Sequence, residues 1–219
     1  MLRFLSVPTA LCVTLLFAAG QIGAAAEPRL VVVFGDSITQ GGALPTVDRP
    51  RVWVALVEKD SAGRLKLVNE GKGGRPTASL KEFEAMLTRH PRADQLVIAL
   101  GTNDSRDITD ECVPKAVANL RAMVERARKA WGDKLRVLLV GPPNISKNAL
   151  VATKPISNER EAKLREQGDA FAKLAKELGC DFTSLFGVIP DASLTKDGVH
   201  PDAPGNEAIA RALLPVLLK

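Results

Sequence analysis

The sequence contains no tyrosine, only two histidines and few aromatic residues, which make up 4% of its 219 positions. Its three cysteines lie far apart, at positions 12, 112 and 180. Histidines and cysteines this sparse match no common ligand spacing, so we predict no metal site. Basic residues are interleaved with glutamates and form no stripe with aromatics, which argues against nucleic acid as a partner. Repeats and low-complexity segments are also missing, which argues against a solenoid or a disordered chain.

Beyond the first 26 residues no apolar run is long enough to span a membrane. Within those 26 residues, Arg3 precedes an uncharged, mostly apolar stretch, and three alanines at 24–26 form the small-residue site that a signal peptidase needs. A transmembrane anchor is the alternative, but the run is short and Pro8 interrupts it. Cys12 lacks the preceding small residue of a lipoprotein cleavage site. We therefore predict a signal peptide over residues 1–26 and one domain over 27–219, secreted or periplasmic and without a stable membrane anchor.

Cleavage would remove Arg3 and no acid, which lowers the formal net charge from +5 to +4. Such a charge fits either acidic polymers as partners or simple solubility, and we favour solubility because the basic residues are spread along the predicted helices and interleaved with glutamates. Cys112 and Cys180 would remain in the mature chain. An exported protein permits a disulfide between them, but the sequence leaves that pairing open.

Short apolar runs rich in β-branched residues alternate with longer helical patterns. Such runs predict buried parallel strands. They lie at residues 30–34, 65–69, 95–100 and 135–140, with a shorter fifth candidate at 180–183. Strands that alternate with helices predict an α/β protein, a three-layer α/β/α sandwich on a parallel five-stranded sheet.

Helical patterns fill the segments between these strands. Apolar residues in steps of three and four predict a helix over 113–131, with Gly132 as its stop. Ser79 and Glu82 resemble a capping box that opens a helix ending at about Arg89. Two more helices are predicted, over 157–178 and after Pro204.

The loops after the strands matter most, because ligands of open parallel sheets bind outside the carboxyl ends of the strands. The first loop contains Ser37 at a sharp turn from strand to helix, where backbone N–H groups favour a developing anion. The alternative is that Ser37 simply caps the helix, since serine is a preferred cap. The tripeptide Gly-Asp-Ser alone leaves both interpretations open.

A general base must come from only two histidines. His90 lies at the end of a helix, where an exposed capping role fits best. His200 lies in a loop bounded by glycine and proline, three residues after Asp197. A tight turn there would bring the carboxylate to Nδ1 and leave Nε2 free for Ser37. The alternative is a turn in which Asp197 caps the last helix and His200 is solvated.

Two further loops offer hydrogen-bond donors for an oxyanion. Asn103 follows the third strand and carries a side-chain amide. The second loop contains three glycines, Gly71, Gly73 and Gly74, whose backbone can approach a ligand closely. Ordinary turn chemistry is the alternative for both loops.

Taken together, these motifs resemble the four blocks of the SGNH, or GDSL, hydrolases, in the expected order from Gly35 to His200. The resemblance implies a flavodoxin-like fold, Ser37 as nucleophile, His200 as general base and then acid, and Asp197 as its partner. It also implies an oxyanion hole made by the Ser37 and Gly74 N–H groups with the Asn103 amide. Gly71 and Gly73 remain competitors for the place of Gly74.

The implied reaction is acyl transfer through an acyl-enzyme on the serine, which requires no cofactor. Residues 73–77 are similar to a segment of secreted acetylesterases that act on plant polysaccharides, and residues 139–143 to a segment of arylesterase-like members. We therefore expect a secreted serine esterase that hydrolyses short-chain, acetyl-type esters of carbohydrates or small molecules. Residues 149–151 are apolar and are candidates to cover the acyl pocket.

Two alternatives remain open. One is a lysophospholipase or thioesterase of the same family, which would need an apolar groove for a long chain. The other is a non-catalytic sugar-binding protein on this fold, which would have no need of Asp197 beside His200. Transfer of the acyl group to a sugar acceptor instead of water also remains possible from the sequence, which gives no indication of the oligomeric state.

Overall fold

The computed structural model of the protein describes residues 27–147 and 157–219. The predicted signal peptide, and the apolar residues 149–151 that were expected to cover the acyl pocket, lie outside these ranges. No helix within them is both long and apolar enough to cross a membrane.

Five strands form one parallel sheet in the order β2-β1-β3-β4-β5. They are β1 Arg29–Gly35, β2 Leu65–Gly71, β3 Gln95–Ala99, β4 Arg136–Gly141 and β5 Asp181–Ser184. All five predicted strands are confirmed, with ends that differ by at most two residues. The strand order is that of flavodoxin-like sheets.

The central strand β1 is buried on both faces, and its side chains divide between two apolar cores. Val31 and Val33 point to one face, whereas Val32 and Phe34 point to the other, and none of them is exposed. Because successive side chains of a strand point to opposite faces, a continuous apolar run is what a sheet covered on both sides requires. The three-layer α/β/α sandwich is thereby confirmed.

In the part of the chain that the structure describes, six α-helices cover the two faces of the sheet. They are α1 Ser37–Gln40, α2 Trp53–Asp60, α3 Leu80–Arg89, α4 Cys112–Trp131, α5 Asn158–Leu178 and α6 Ala203–Leu217. Core residues of α2 and α6 pack on one face of the sheet, and those of α3, α4 and α5 on the other. The four predicted helices are confirmed as α3 to α6, and the helix expected directly after the Ser37 turn is α1, whereas α2 was not predicted.

The predicted capping box at the start of α3 is wrong. Ser79 occupies the N-cap position, but its side chain makes no capping hydrogen bond. Glu82 does not return to the Ser79 backbone, because its carboxylate is paired instead with Lys72 at 2.7 Å and with Arg75 at 3.0 Å. These two cations lie in the loop after β2, so Glu82 ties α3 to the rim of the sheet.

The carboxyl ends of the strands meet at one edge because the strands are in parallel register. Gly35 of β1 is opposite Gly71 of β2 and Ala99 of β3, and Gly141 of β4 is opposite Ser184 of β5. The loops that follow these residues therefore lie on one rim, as predicted.

The two cysteines of the domain are both free thiols. The Cys112 thiol is buried at the start of α4 and donates to the backbone oxygen of Asp104 at 3.4 Å. Burial raises the pKa of both thiols, Cys112 and Cys180. The disulfide that the sequence left open is absent.

Candidate active site

The turn between β1 and α1 presents Ser37 at the first residue of a helix. Asp36 is the N-cap of α1, and its Oδ1 accepts a hydrogen bond from the N–H of Ile38 at 2.9 Å. The capping interpretation of Ser37 is therefore wrong, because Asp36 performs that role and leaves the Ser37 hydroxyl available. The turn is tight: a Cβ on Gly35 would lie 2.1 Å from the Thr39 hydroxyl oxygen, so a larger residue would displace the helix.

His200 lies between Ser37 and Asp197. Its Nε2 is 2.8 Å from the Ser37 Oγ, and its Nδ1 is 2.5 Å from the Asp197 Oδ2. The structure thus brings together the three side chains that the sequence singled out, although Ser37 and His200 are 163 positions apart in the chain. The alternative in which Asp197 caps the last helix is wrong, because the N-cap of α6 is Asp202.

The Asp197 carboxylate is held by its own turn. Its Oδ1 accepts the backbone N–H groups of Val199 at 2.8 Å and His200 at 3.0 Å, and the Thr195 hydroxyl donates to it at 3.0 Å. Partial burial alone would raise the pKa of Asp197, but these N–H groups and the His200 imidazole outweigh it and lower that pKa to about 2. Asp197 is therefore ionised across the whole neutral and mildly acidic range.

The His200 loop is also anchored to α2 and α6. Asn206 in α6 is fully buried, donates to the backbone oxygen of Pro201 at 3.3 Å and accepts the N–H of Trp53 at 3.1 Å. On the other side, the Ser146 N–H donates to the oxygen of Gly198 at 2.7 Å. These bonds fix the backbone on both sides of the imidazole.

Asp36 is a buried carboxyl, 2% exposed, beside the imidazole of the site. Burial raises the pKa of Asp36 to about 6, although the hydrogen bond from Ile38 opposes this. An acid whose pKa is higher in the folded chain than in the unfolded one binds protons preferentially when folded. The folded state therefore loses stability as the pH rises from about 4 to about 6.

Replacing Asp36 with asparagine should remove this pH dependence while keeping the cap, since asparagine caps helices as well as aspartate does. We expect the stability of Asp36→Asn relative to wild type to increase between pH 4 and pH 7, by on the order of 3 kcal/mol. Urea unfolding at both pH values measures the difference. A difference that stays constant with pH would show that the buried carboxyl carries no such cost.

The candidate oxyanion donors lie on three loops of the rim. Asn103 donates from Nδ2 to the backbone oxygen of Arg75 at 3.1 Å, which orients the amide and leaves its second hydrogen available. Within residues 27–147 and 157–219, the N–H groups of Ser37, Gly73 and Gly74 donate to no other residue. These groups are therefore available to a ligand.

Of the three glycines of the second loop, Gly71 cannot donate its N–H to an oxyanion. Its N–H is already donated to the Asn69 Oδ1 at 2.9 Å. A Cβ on Gly71 would lie 2.3 Å from the Gln40 N, so its lack of a side chain serves the packing of α1 on β2. Gly74 has a φ of 74°, where glycine is favoured, and stays the predicted donor beside Gly73.

His90 lies away from this cluster. It is the C-cap residue of α3, as predicted, but it is half-buried and not exposed. Its Nε2 is 2.7 Å from the Glu70 Oε1, and its backbone oxygen accepts the Trp131 indole N–H at 2.7 Å. The second histidine of the chain thus has a structural place and does not contact Ser37.

Two structural features of the site were not predicted from the sequence. Asp36 had a local signal for an N-cap, because it directly precedes the first helical residue. Ser37 was an equally good candidate for the same cap, so the sequence did not single out Asp36. Arg75 lies in the segment 73–77 that the resemblance singled out, but its burial and its bonds had no local signal, because its partners come from separate segments. In the described ranges, no group of three or more histidine, cysteine, aspartate or glutamate side chains is placed to bind a metal ion.

Residues 33–208 match the model of the GDSL-like Lipase/Acylhydrolase family. The chain is 28% identical over 216 residues to the isoamyl acetate-hydrolyzing esterase 1 homolog of Mus musculus, with 88% of this chain and 82% of the mouse protein covered. Its fold is similar to that of a carbohydrate acetylesterase family member from Sinorhizobium meliloti, with a TM-score of 0.70, 24% identity and coverage of 86% and 97%. The aryl esterase of M. smegmatis gives a TM-score of 0.68 at 22% identity, with coverage of 86% and 98%.

Proposed function

Because the chain belongs to the GDSL-like lipase/acylhydrolase family and is a hydrolase of ester bonds, we propose that it is a secreted serine esterase with Ser37 as its nucleophile. In this proposal His200 is the general base and then the general acid, and Asp197 orients it. The substrates are short-chain, acetyl-type esters of carbohydrates or small molecules.

The observation that carries the proposal is the hydrogen-bonded row from Ser37 through His200 to Asp197, with distances of 2.8 and 2.5 Å. As the Ser37 Oγ attacks an ester carbonyl, His200 Nε2 takes its proton, and the ionised Asp197 stabilises the resulting imidazolium. The imidazolium then gives the proton to the departing alkoxide, which leaves an acyl-serine. Water, deprotonated by the same imidazole, releases the acid and restores Ser37.

The tetrahedral intermediates carry an oxyanion that needs preorganised donors. Among the described residues, no group accepts from the Ser37 or Gly74 N–H or from the second hydrogen of the Asn103 amide, and these donors follow the carboxyl ends of β1, β2 and β3. Each such donor is typically worth about 10²–10³ in rate. Their availability supports acyl transfer over simple binding of a sugar.

We propose that a small cavity beside the Ser37 turn receives the acyl group, since its lining includes Asp36 and Ile38, the two neighbours of Ser37. Its volume is about 20 Å³, room for about one water-sized group, and its walls are mostly apolar. Ile38, Trp53, Val140 and Leu185 contribute to these walls. The enclosed space matches a methyl group in size. The mouse relative is named for hydrolysis of isoamyl acetate and the Sinorhizobium meliloti protein for acetylesterase activity, which agrees with an acetyl group.

The acyl-chain preference tests this function. We expect the purified protein to be labelled stoichiometrically by a fluorophosphonate and to hydrolyse p-nitrophenyl acetate with a higher kcat/KM than p-nitrophenyl decanoate. Faster decanoyl turnover would instead indicate a lysophospholipase or thioesterase. A protein that neither labels nor hydrolyses either ester would overturn the esterase proposal.

A cavity variant gives the matched control for this test. Leu185→Ala removes side-chain atoms from the cavity wall and so enlarges the cavity. It should increase the turnover of butyryl relative to acetyl esters. Leu139→Ala removes the same atoms from the opposite core, where the side chain is equally buried, and should leave the ratio unchanged.

Export is the part of the proposal that rests on residues 1–26 alone. The positive start, the apolar stretch and the alanines at 24–26 predict a mature chain that begins near Glu27. We expect N-terminal sequencing of the protein recovered outside the cytoplasm to begin within a few residues of Glu27. Recovery of the full-length chain in the cytoplasm would contradict the prediction.

A further inference from the structure

Arg75 is a buried cation at the rim of the sheet, with a side chain that is only 5% exposed. Its Nη1 donates to the backbone oxygen of Gly35 at 2.7 Å and to that of Glu70, and its Nε donates to the Glu82 carboxylate at 3.0 Å. The guanidinium carbon lies 4.0 Å from the centre of the Phe34 ring. A buried charge is tolerated only when its hydrogen-bonding groups are satisfied, and here carbonyls, a carboxylate and an aromatic face supply that.

These contacts join the loops that carry the candidate oxyanion donors. Gly35 is the last residue of β1, two positions before Ser37, and Glu70 lies near the end of β2, in the segment that leads to Gly74. The backbone oxygen of Arg75 itself accepts the Asn103 amide at 3.1 Å. One residue therefore contacts all three segments.

The geometry of an oxyanion hole is sensitive to small displacements. A shift of about 1 Å in a reacting or stabilising group typically costs about 10² in rate. A planar guanidinium with fixed donor directions can hold two carbonyls and a carboxylate at once, whereas an ammonium group cannot reproduce this arrangement. The role of Arg75 should therefore depend on its shape as well as on its charge.

We propose that Arg75 is a positioning residue for the oxyanion hole, which holds the Ser37 turn, the Gly74 loop and the Asn103 amide in one arrangement. The inference rests on the proposed esterase function. It predicts that Arg75 affects the rate of the chemical step in chains that are folded and competent.

The test separates positioning from folding by counting competent sites. Arg75→Lys keeps the charge and the length of the side chain, and prolonged titration with a fluorophosphonate gives the number of reactive serines per chain. We expect a titre near that of wild type, with kcat per titrated site for p-nitrophenyl acetate lowered about 10²-fold and KM changed by less than about threefold. Arg75→Ala should give at least the same loss per titrated site.

Arg89→Lys is the matched control. Arg89 is also an arginine bonded to Glu70, but it contacts the carboxylate at the surface, at 2.6 Å, and its side chain is about half exposed. We expect its kcat per site and its titre to match wild type.

Combining Arg75→Lys with Asn103→Ala should lower kcat by less than the product of the two single losses, because both disturb the same donor.

Several outcomes would overturn the inference. A lowered titre with an unchanged rate per titrated site, or an Arg75→Lys chain with no reactive serine, would assign Arg75 to folding alone. Losses that multiply fully in the double variant would show that it does not act through Asn103. Wild-type protein that neither labels nor hydrolyses would instead defeat the proposed function itself.

Discussion

Replacing Ser37 with alanine should lower kcat for p-nitrophenyl acetate by about 10⁴- to 10⁶-fold and abolish labelling by a fluorophosphonate. Alanine lacks the Oγ that lies 2.8 Å from His200, so neither an acyl-enzyme nor a phosphonylated serine can form. The change should leave the fold intact, because the cap of α1 is supplied by Asp36 and alanine favours a helix. Initial rates and mass spectrometry of the labelled chain measure both effects.

Ser79→Ala provides the control for this experiment. Ser79 also lies at the start of a helix on the rim, and its side chain makes no capping hydrogen bond. We expect it to label and to hydrolyse like wild type. Persistent stoichiometric labelling of the Ser37→Ala chain would show that another residue is the nucleophile.

Asp197→Asn should lower kcat by about 10⁴-fold with little change in KM. An asparagine amide beside His200 Nδ1 would donate where the carboxylate accepts, and so favour the tautomer that carries its proton on Nε2. That tautomer cannot take the proton of Ser37. Steady-state kinetics at neutral pH, together with thermal unfolding to confirm the fold, measure the effect.

The low pKa of Asp197, about 2, also predicts how the activity of the wild-type protein depends on pH. Because the carboxylate loses its charge only as the pH falls toward 2, protonation of Asp197 should not limit activity at pH 5 to 8. For the Asp197→Asn substitution, Asp202→Asn is the control. It makes the same chemical change nearby and replaces the cap of α6 with another good cap. Activity of Asp197→Asn within tenfold of wild type would exclude the orienting role.

The strands and the long helices could be predicted because their signals are local. Residues 31–34 are an uninterrupted apolar run, which is what a strand buried on both faces needs, and the stripe in α4 follows the helical period. Helix α2 lacked such signals: it has eight residues, and its N-cap, Val52, makes no side-chain capping bond. The capping box at Ser79 had a local signal, but longer-range partners of Glu82 overrode it.

The candidate site was predictable where residue types were scarce. With two histidines in the chain, only His200 had an aspartate at a useful spacing, and the structure brings both to Ser37. The sequence could not decide among the three glycines at 71, 73 and 74, because the decision depends on which backbone N–H already has an acceptor, as that of Gly71 does. The hydrogen bonds of Arg75 could not be predicted either, because they join residues as far apart as positions 35 and 103.

The distance along the chain between Ser37 and His200 has a consequence for biosynthesis. The ribosome adds His200 163 residues after Ser37, which takes roughly 8–30 s at ordinary rates of translation. During that interval the growing chain holds the proposed nucleophile without its proposed base. The last helix must then dock, because its Asn206 holds the oxygen of Pro201 next to the imidazole. If Ser37 and His200 act as proposed, a chain that ends before His200 is inert toward esters, and activity requires the segment around His200 to pack beside the Ser37 turn.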